Sequence, residues 1–204
     1  MDAREQILNA ATHLFAARGY DGTSLGRIST EVGIRKASLL YHFASKDVLH
    51  RAVLDRVLSH WNEALPRILE AVTGEDRFDA LLREVIHFFA ADPNRARLIL
   101  REALDRPDAI HEQLRSQVGP WITVIAGFIR RGQESGELRA DADPEAYLLQ
   151  VIHLIVGGVA TADTLTMRND PARLLREIER VAKVSLFTDE GLARQAARGE
   201  EAAQ

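Results

Sequence analysis

The feature that most constrains this chain is the spacing of its apolar residues, which recur every three or four positions along almost every long segment. Such spacing places apolar side chains on one face of an α-helix, whereas a half-buried β-strand needs alternation with period two. No stretch alternates for long enough to make a convincing strand. The sequence therefore predicts an all-α protein.

Glycine, proline and capping residues divide this helical pattern into segments. Gly19 and Gly33 are expected to end the first two helices, and Ser45 to begin a long fourth helix that Pro66 should kink or end. A helix expected over residues 109–134 must bend or split at 119–120, a Gly-Pro pair. Aspartate followed by proline, a typical helix start, occurs at 92–93, 143–144 and 170–171.

Three regions follow from this division. Residues 1–47 are expected to form a three-helix domain of the helix-turn-helix type, and residues 48–187 a larger helical domain. Residues 188–204, rich in Ala, Arg, Glu and Gln, are expected to be a frayed tail.

Composition and charge narrow the function classes. The chain has no cysteine, which excludes disulfides, thiolate metal sites and cysteine nucleophiles. The net charge of −4 argues against a nucleic-acid partner at first sight, but residues 1–50 hold six Lys/Arg against five Asp/Glu, and the rest 20 against 25. Neither the N-terminus nor the apolar run 148–162, interrupted by Gln150 and His153, resembles a signal peptide or membrane span. We therefore expect a cytoplasmic protein without a membrane partner.

Two short helices joined by the glycine turn at Gly33 predict a helix-turn-helix. Its helices should pack through Leu25, Ile28, Val32, Ile34 and Leu39. Polar residues of the motif's second helix, the third of the chain, would then face outward, where arginine and lysine can contact guanine or phosphate in a major groove. Hydroxyls and free N–H groups at the start of the chain's second helix are candidate phosphate contacts, although the hydroxyls would cap a helix in any case. A lysine at the start of the chain's fourth helix is a further candidate. The candidate DNA-contacting residues are Thr23, Ser24, Arg35, Lys36, Ser38, Tyr41, His42 and Lys46.

The order of residues in this region resembles the signature of the TetR family of transcriptional regulators. The resemblance is carried by FAARGY (15–20), Thr23-Ser24, Ile28, VGI (32–34), LLYHF (39–43), SKD (45–47) and Leu49, with a further similarity at GQESGEL (132–138). It implies a homodimer that binds a palindromic, double-stranded operator, and C-terminal helices that hold an inducer pocket and the dimer interface. Leu40 departs from the tyrosine usual in the family, so an apolar contact to a thymine methyl can replace a phosphate contact there, and Arg35 indicates a distinct operator.

The resemblance also implies where an effector would bind, among helices four to eight of the expected order. Such sites are mostly apolar with a few polar groups, so an apolar or aromatic effector is expected. The candidate ligand-binding residues are Trp61, His87, Phe89, Arg101, Trp121, Phe128 and His153. The alternative is that the aromatic residues only pack in the core, and that Arg101 pairs with Glu102 or Asp105.

The expected eighth and ninth helices, which start at 143–144 and 170–171, predict the homodimer interface. The run 148–162 is apolar nearly all round and needs cover on more than one side, and Gly157-Gly158 would allow close helix approach. The alternative is that both helices belong to the core of one subunit.

Two other classes of protein stay open. A DNA-binding or architectural factor without a ligand would carry the same N-terminal motif. An enzyme is less well supported, because the chain has no G-x-S-x-G, P-loop or HExxH motif, and no cofactor or metal ligand set is recognisable.

Overall fold

The computed structural model of this protein describes residues 2–71, 76–165 and 170–194. Within these residues the chain is helical, with one isolated antiparallel β-bridge between Leu138 and Phe187. The predicted all-α fold is thus confirmed. The helices are α1 (Ala3–Arg18), α2 (Leu25–Val32), α3 (Lys36–His42), α4 (Lys46–Ala71), α5 (Asp76–Ala91), α6 (Pro93–Asp105), α7 (Pro107–Gln117), α8 (Gly119–Glu134), α9 (Pro144–Leu165) and α10 (Pro171–Leu186).

Side-chain caps begin the helices where the sequence predicted them. The Ser24 and Ser45 hydroxyls each accept an N–H three residues later, at 3.2 Å. The carboxylates of Asp92, Asp143 and Asp170 accept backbone N–H groups of α6, α9 and α10 at 2.8–3.1 Å. These bonds satisfy N–H groups that have no partner inside the helix and so fix where each helix starts.

The two prolines expected to interrupt helices differ in effect. The segment 109–134 is split as predicted, since α7 ends at Gln117 and α8 begins at Gly119 beyond Val118. Pro66 is expected to kink or end α4, and it does not end the helix, which continues to Ala71. Buried Trp61 and Leu65 hold this part of α4 against the core, so packing offsets the one hydrogen bond that the proline cannot make.

The N-terminal helices α1–α3 pack around a small core that includes the start of α4. Phe15, Ile28, Leu39, Phe43 and Leu49 are at most 2 % exposed in it. Helix α1 also packs against α6, so this unit rests directly on the C-terminal helices.

Helix α9, the eighth of the predicted order, occupies the middle of the C-terminal helices, and α10 corresponds to the ninth. Helix α9 packs against α5, α6, α8 and α10. Among the described residues it is the one helix long and apolar enough to cross a membrane by length and composition. Ile155 and Val159 of this helix are buried within the protein, whereas other apolar residues of α9 are exposed.

The segment after α10 differs in part from the predicted frayed tail. Residues 189–194 form a further helical turn, in which the Thr188 hydroxyl accepts the Gly191 N–H at 3.1 Å. The Thr188 N–H donates to the Glu137 carbonyl at 3.0 Å, which ties the turn to the loop before α9. These backbone bonds order a segment whose composition alone predicted none, and the remainder of the predicted tail, 195–204, lies outside the described residues.

Candidate DNA interface and ligand site

The turn between α2 and α3 sets the angle at which α3 is presented. Gly33 adopts the left-handed conformation with φ 75° and ψ 28°, which a glycine reaches without steric cost. The following Ile34 N–H donates to the Ser29 carbonyl at 2.9 Å, and Ile28 and Leu39 are fully buried between the helices. This turn and core leave the opposite side of α3 open to solvent.

Most of the residues predicted to contact DNA at the N-cap of α3 and along it are exposed to solvent. Arg35, Lys36 and Ser38 are exposed, and Tyr41 is 88 % exposed. His42 is half-buried, with its ring edge-on to Tyr41 at 5.5 Å between centroids. We call the exposed side chains of residues 35–41 the reading surface.

Sequence reasoning missed two residues of this region. Ala37 is exposed on α3 and points away from the buried Leu39. Arg27 is exposed on α2 and makes no ion pair within the described residues. A helical wheel drawn on Leu39 as the buried position gives the outward direction of Ala37, because side chains two positions apart lie about 200° apart.

The two hydroxyls predicted at the start of α2 take different positions. Ser24 is exposed as well as capping α2. Thr23 is only 1 % exposed, and its hydroxyl lies 3.1 Å from the Leu14 carbonyl oxygen and 2.9 Å from that of Gly19. This placement corrects the predicted phosphate contact of the Thr23 side chain, whose role is to hold the end of α1.

Lys46 is surrounded by an aromatic and ionic group where α1–α3 meet the C-terminal helices. Its Nζ lies 4.0 Å from the ring centroid of Tyr20, and the Arg106 guanidinium carbon lies 4.1 Å from the same centroid. The Tyr20 hydroxyl donates to Asp47 at 2.5 Å. Burial and this bond to a carboxylate raise the pKa of Tyr20 to about 12, and the same hydrogen bond lowers the pKa of Asp47.

A buried polar pair continues this group into α6. His50 on α4 and Glu102 on α6 are 4 % and 1 % exposed, and His50 Nε2 lies 2.8 Å from Glu102 Oε1. Arg106 Nη1 is 3.3 Å from His50 Nδ1. Because a guanidinium only donates, Nδ1 must accept, which assigns the imidazole proton to Nε2, facing Glu102. We call Tyr20, Lys46, Asp47, His50, Glu102 and Arg106 the junction cluster.

The predicted ligand-binding residues are not gathered around one cavity. Trp61 and Phe89 pack with Phe88 in a buried aromatic cluster, and Trp121 Nε1 donates to Asn62 at 2.9 Å. His87 and His153 are exposed on α5 and α9. Arg101 donates its Nε to the Ala16 carbonyl at 3.3 Å, in the contact between α6 and α1. Several of these side chains therefore pack in the core and do not line a cavity, which agrees with the alternative interpretation of the sequence.

Phe128 is the predicted ligand residue that does line an apolar cavity. This cavity, of about 280 Å³, lies between α5, α8 and the chain around the β-bridge. The Arg131 guanidinium carbon lies 4.5 Å from the Phe128 ring centroid at its edge. The apolar walls are formed by Phe78, Leu81, Ile125, Phe128, Ile129, Leu138 and Phe187. Because Leu138 and Phe187 meet only through the bridge, no short-range pattern in the sequence could have placed them together.

Helices α9 and α10 leave apolar side chains uncovered. Leu149 and Leu154 on α9 are 48 % and 44 % exposed, and Val181 and Val184 on α10 are 39 % and 44 % exposed. The two helices approach closely at Gly158, where an added Cβ would lie 2.9 Å from Ile178 Cδ1. One subunit therefore presents a continuous pair of helices with apolar residues facing solvent.

Comparisons with known proteins agree with this arrangement of helices. A family model described as "Bacterial regulatory proteins, tetR family" matches residues 7–53, and one described as "Tetracyclin repressor-like, C-terminal domain" matches residues 99–178. The transcriptional regulator RutR of Escherichia coli is 28 % identical over 148 residues, covering 72 % of this chain and 69 % of RutR. The regulator TtgR of Pseudomonas putida is 29 % identical over 184 residues, covering 83 % and 86 %. The fold is similar to that of the ketosteroid transcriptional regulator KstR2 of Mycobacterium tuberculosis, with TM-score 0.71, 17 % identity and coverage of 92 % and 96 %.

Proposed function

Because the chain belongs to the TetR family of bacterial transcriptional regulators, we propose that it is a cytoplasmic repressor. It binds palindromic operator DNA as a homodimer and leaves the DNA when a small apolar effector binds its C-terminal helices. The observation that carries the proposal is the reading surface, in which Arg35 at the N-cap and Lys36 in the first turn of α3 are both exposed. A helix of this kind fits a major groove, where both side chains can reach base edges or phosphates.

The test of DNA binding is substitution of the two basic residues. Arg35→Ala and Lys36→Ala should each weaken binding by about 1–3 kcal/mol for a lost base contact, with unchanged circular dichroism and melting temperature. Arg83→Ala is the matched control, because Arg83 is also an exposed arginine but lies on α5. The operator is first selected from randomised duplexes, and binding is then followed by fluorescence anisotropy. Wild-type affinity in both variants would contradict the assignment.

The dimer interface is assigned to α9 and α10 because their exposed apolar residues need cover from a second subunit. A dimer also places two reading surfaces on one DNA face, which requires a separation near 34–36 Å or a multiple of it. Val181→Asp should convert the dimer to a monomer in light scattering at constant helicity, since it puts a charge into an apolar contact. Leu104→Asp is the control, because Leu104 is 74 % exposed on α6, outside this pair of helices. A Val181→Asp protein that stays dimeric would rule out the interface.

The effector site is assigned to the cavity lined by Phe128. Its walls are mostly apolar, as is typical of small-molecule sites. It lies between α5, which packs against α4 and α9, and α8, which packs against α9. Ile125→Trp should fill it and abolish the rise in melting temperature that an effector causes in the wild type, because ligand binding stabilises the native state by mass action. Thr123→Trp, at an exposed position on the same helix, should keep that rise. An effector that stabilises both variants equally binds elsewhere.

The coupling between effector and DNA is assigned to α4 and the junction cluster. Helix α4 begins at Lys46, beside the reading surface, and carries Trp61 into the C-terminal core. A shift of α4 or α6 would change the separation of the two reading surfaces in the dimer and weaken their simultaneous fit to the operator. Coupling free energies of this kind are typically about 1–3 kcal/mol, or 5- to 150-fold in affinity. Operator affinity that is unchanged by a saturating effector would refute the coupling.

A regulator without an effector is the second candidate. It is favoured by the positions of four predicted ligand-binding residues, which do not line the cavity. Trp61 and Phe89 pack against Phe88, and His87 and His153 are exposed. A thermal-shift screen of acyl, aromatic and drug-like compounds separates the two candidates. A screen without any stabilising compound, for a protein that binds its operator, would favour this second candidate.

A further inference from the structure

The centre of the reading surface is apolar. Tyr41 is 88 % exposed and Leu40 is 39 % exposed, whereas Leu39 between α2 and α3 is fully buried. At about 100° per residue, Ala37 and Tyr41 point directly away from Leu39, and Leu40 lies to one side of them. The basic residues Arg35 and Lys36 stand at the N-terminal end of this apolar strip. The strip is therefore the part of α3 that would enter deepest into a groove.

We propose that Ala37, Leu40 and Tyr41 read thymine in the operator through its 5-methyl group. The proposal rests on the proposed DNA binding and names what that surface recognises. Thymine is the one base whose major-groove edge carries a methyl group, and the other base edges there are distinguished by their hydrogen-bond donors and acceptors. An apolar side chain against such an edge leaves a polar group unpaired, whereas against the thymine methyl it removes apolar surface from water.

Charge distinguishes a DNA groove from a protein groove as the occupant of this strip. Arg35 and Lys36 adjoin it, and neither makes an ion pair with a described residue. An apolar protein partner would have to desolvate these two cations, whereas a phosphate backbone on either side of the groove neutralises them. Leu40 also has no hydroxyl with which to bond a phosphate, so its side chain can make only apolar contacts with DNA.

Uracil substitution tests the proposal, because uracil is thymine without the 5-methyl group. After an operator has been selected from randomised duplexes, each thymine of the half-site is replaced by uracil in both halves at once, and affinity is measured by anisotropy. We expect at least one position at which affinity falls about fourfold per methyl, or about 15-fold for the two halves together, from the free energy of burying one carbon. Leu40→Ala or Tyr41→Ala should bind more weakly and no longer respond to uracil at that position.

Leu104→Ala is the matched control and should keep the full response to uracil, because it makes the same change at an exposed leucine outside α3. Equal affinity for every uracil-containing operator would overturn thymine reading while leaving operator binding intact. A response to uracil that persists undiminished in both α3 variants would also overturn it, since another surface then contacts the methyl. If no duplex is enriched, the proposed operator binding itself fails, so the two failures are distinguishable.

Discussion

Glu102 offers the sharpest test of how the N-terminal helices are attached to the rest of the protein. Its side chain is 1 % exposed, and one carboxylate oxygen, Oε1, accepts a hydrogen bond from Nε2 of buried His50 at 2.8 Å. The other oxygen, Oε2, has no hydrogen-bond partner within the described residues. Truncation and amide replacement therefore have different consequences at this position.

Glu102→Ala removes the carboxylate that accepts from His50 Nε2 and leaves that buried N–H without this acceptor, at a cost of about 1–3 kcal/mol. The void left by the side chain adds to this cost, and the loss of an incompletely paired buried charge offsets part of it. We expect a net loss of about 2–3 kcal/mol. Glu102→Gln keeps an acceptor oxygen of the same shape and should cost about 1 kcal/mol.

The measurement is urea denaturation followed by circular dichroism at one protomer concentration, because the stability of a dimer depends on concentration. Thermal melts should show the same order, with Glu102→Ala lowered by about 4–12 °C for a chain of this size. The order of the two variants is the essential result. If Glu102→Ala is as stable as Glu102→Gln, the hydrogen bond to His50 does not stabilise the junction cluster, and the reasoning is refuted.

Three further predictions concern single positions. Gly132→Ala should destabilise the protein by about 1–3 kcal/mol in urea denaturation, because the added Cβ would lie 2.6 Å from Leu138 Cδ1; unchanged stability would mean that Leu138 moves freely. Thr23→Val should cost about 1 kcal/mol, because it removes the hydroxyl bonded to the Gly19 carbonyl, and a variant that instead loses only operator affinity would contradict the structural role of Thr23. The raised pKa of Tyr20 contributes stability below pH 10 that is lost as pH rises through about 12, so Tyr20→Phe should remove this loss from an alkaline unfolding series and one late phenol from the absorbance titration at 295 nm. An alkaline unfolding curve identical to that of the wild type would contradict the last.

The DNA-binding helices could be predicted from sequence because the determinants are local. Helix caps at Ser24 and Ser45, the turn at Gly33 and the buried pair Ile28 and Leu39 all lie within about twenty residues. Each acts through bonds or contacts with near neighbours, so spacing along the chain determines geometry. The buried hydroxyl of Thr23 is the exception, since only the folded end of α1 shows which carbonyls it meets.

The ligand-binding residues could not be predicted in this way. Whether an aromatic residue lines a cavity or packs in the core depends on the rotation of helices that are distant in sequence. Trp61 turns toward Phe88 and away from the cavity, while Phe78 and Phe187 meet at 5.3 Å between ring centroids across more than one hundred residues of chain. The pairing of His50 with Glu102, 52 residues later, is equally invisible to spacing and helical periodicity.

The polar character of the junction cluster has a consequence for measurements in salt. Arg106 and Asp47 are partly exposed and 4.0 Å apart, so their attraction is screened as ionic strength rises. Phosphate contacts weaken over the same range, through the release of counterions from the DNA. A steep dependence of operator affinity on salt would therefore combine two processes. The contacts with phosphates weaken, and the attachment of α1–α3 to the C-terminal helices becomes less stable. Hydrogen exchange of the free protein at the same salt concentrations reports only the second process, and so shows whether the attachment of α1–α3 loosens over the range in which affinity falls.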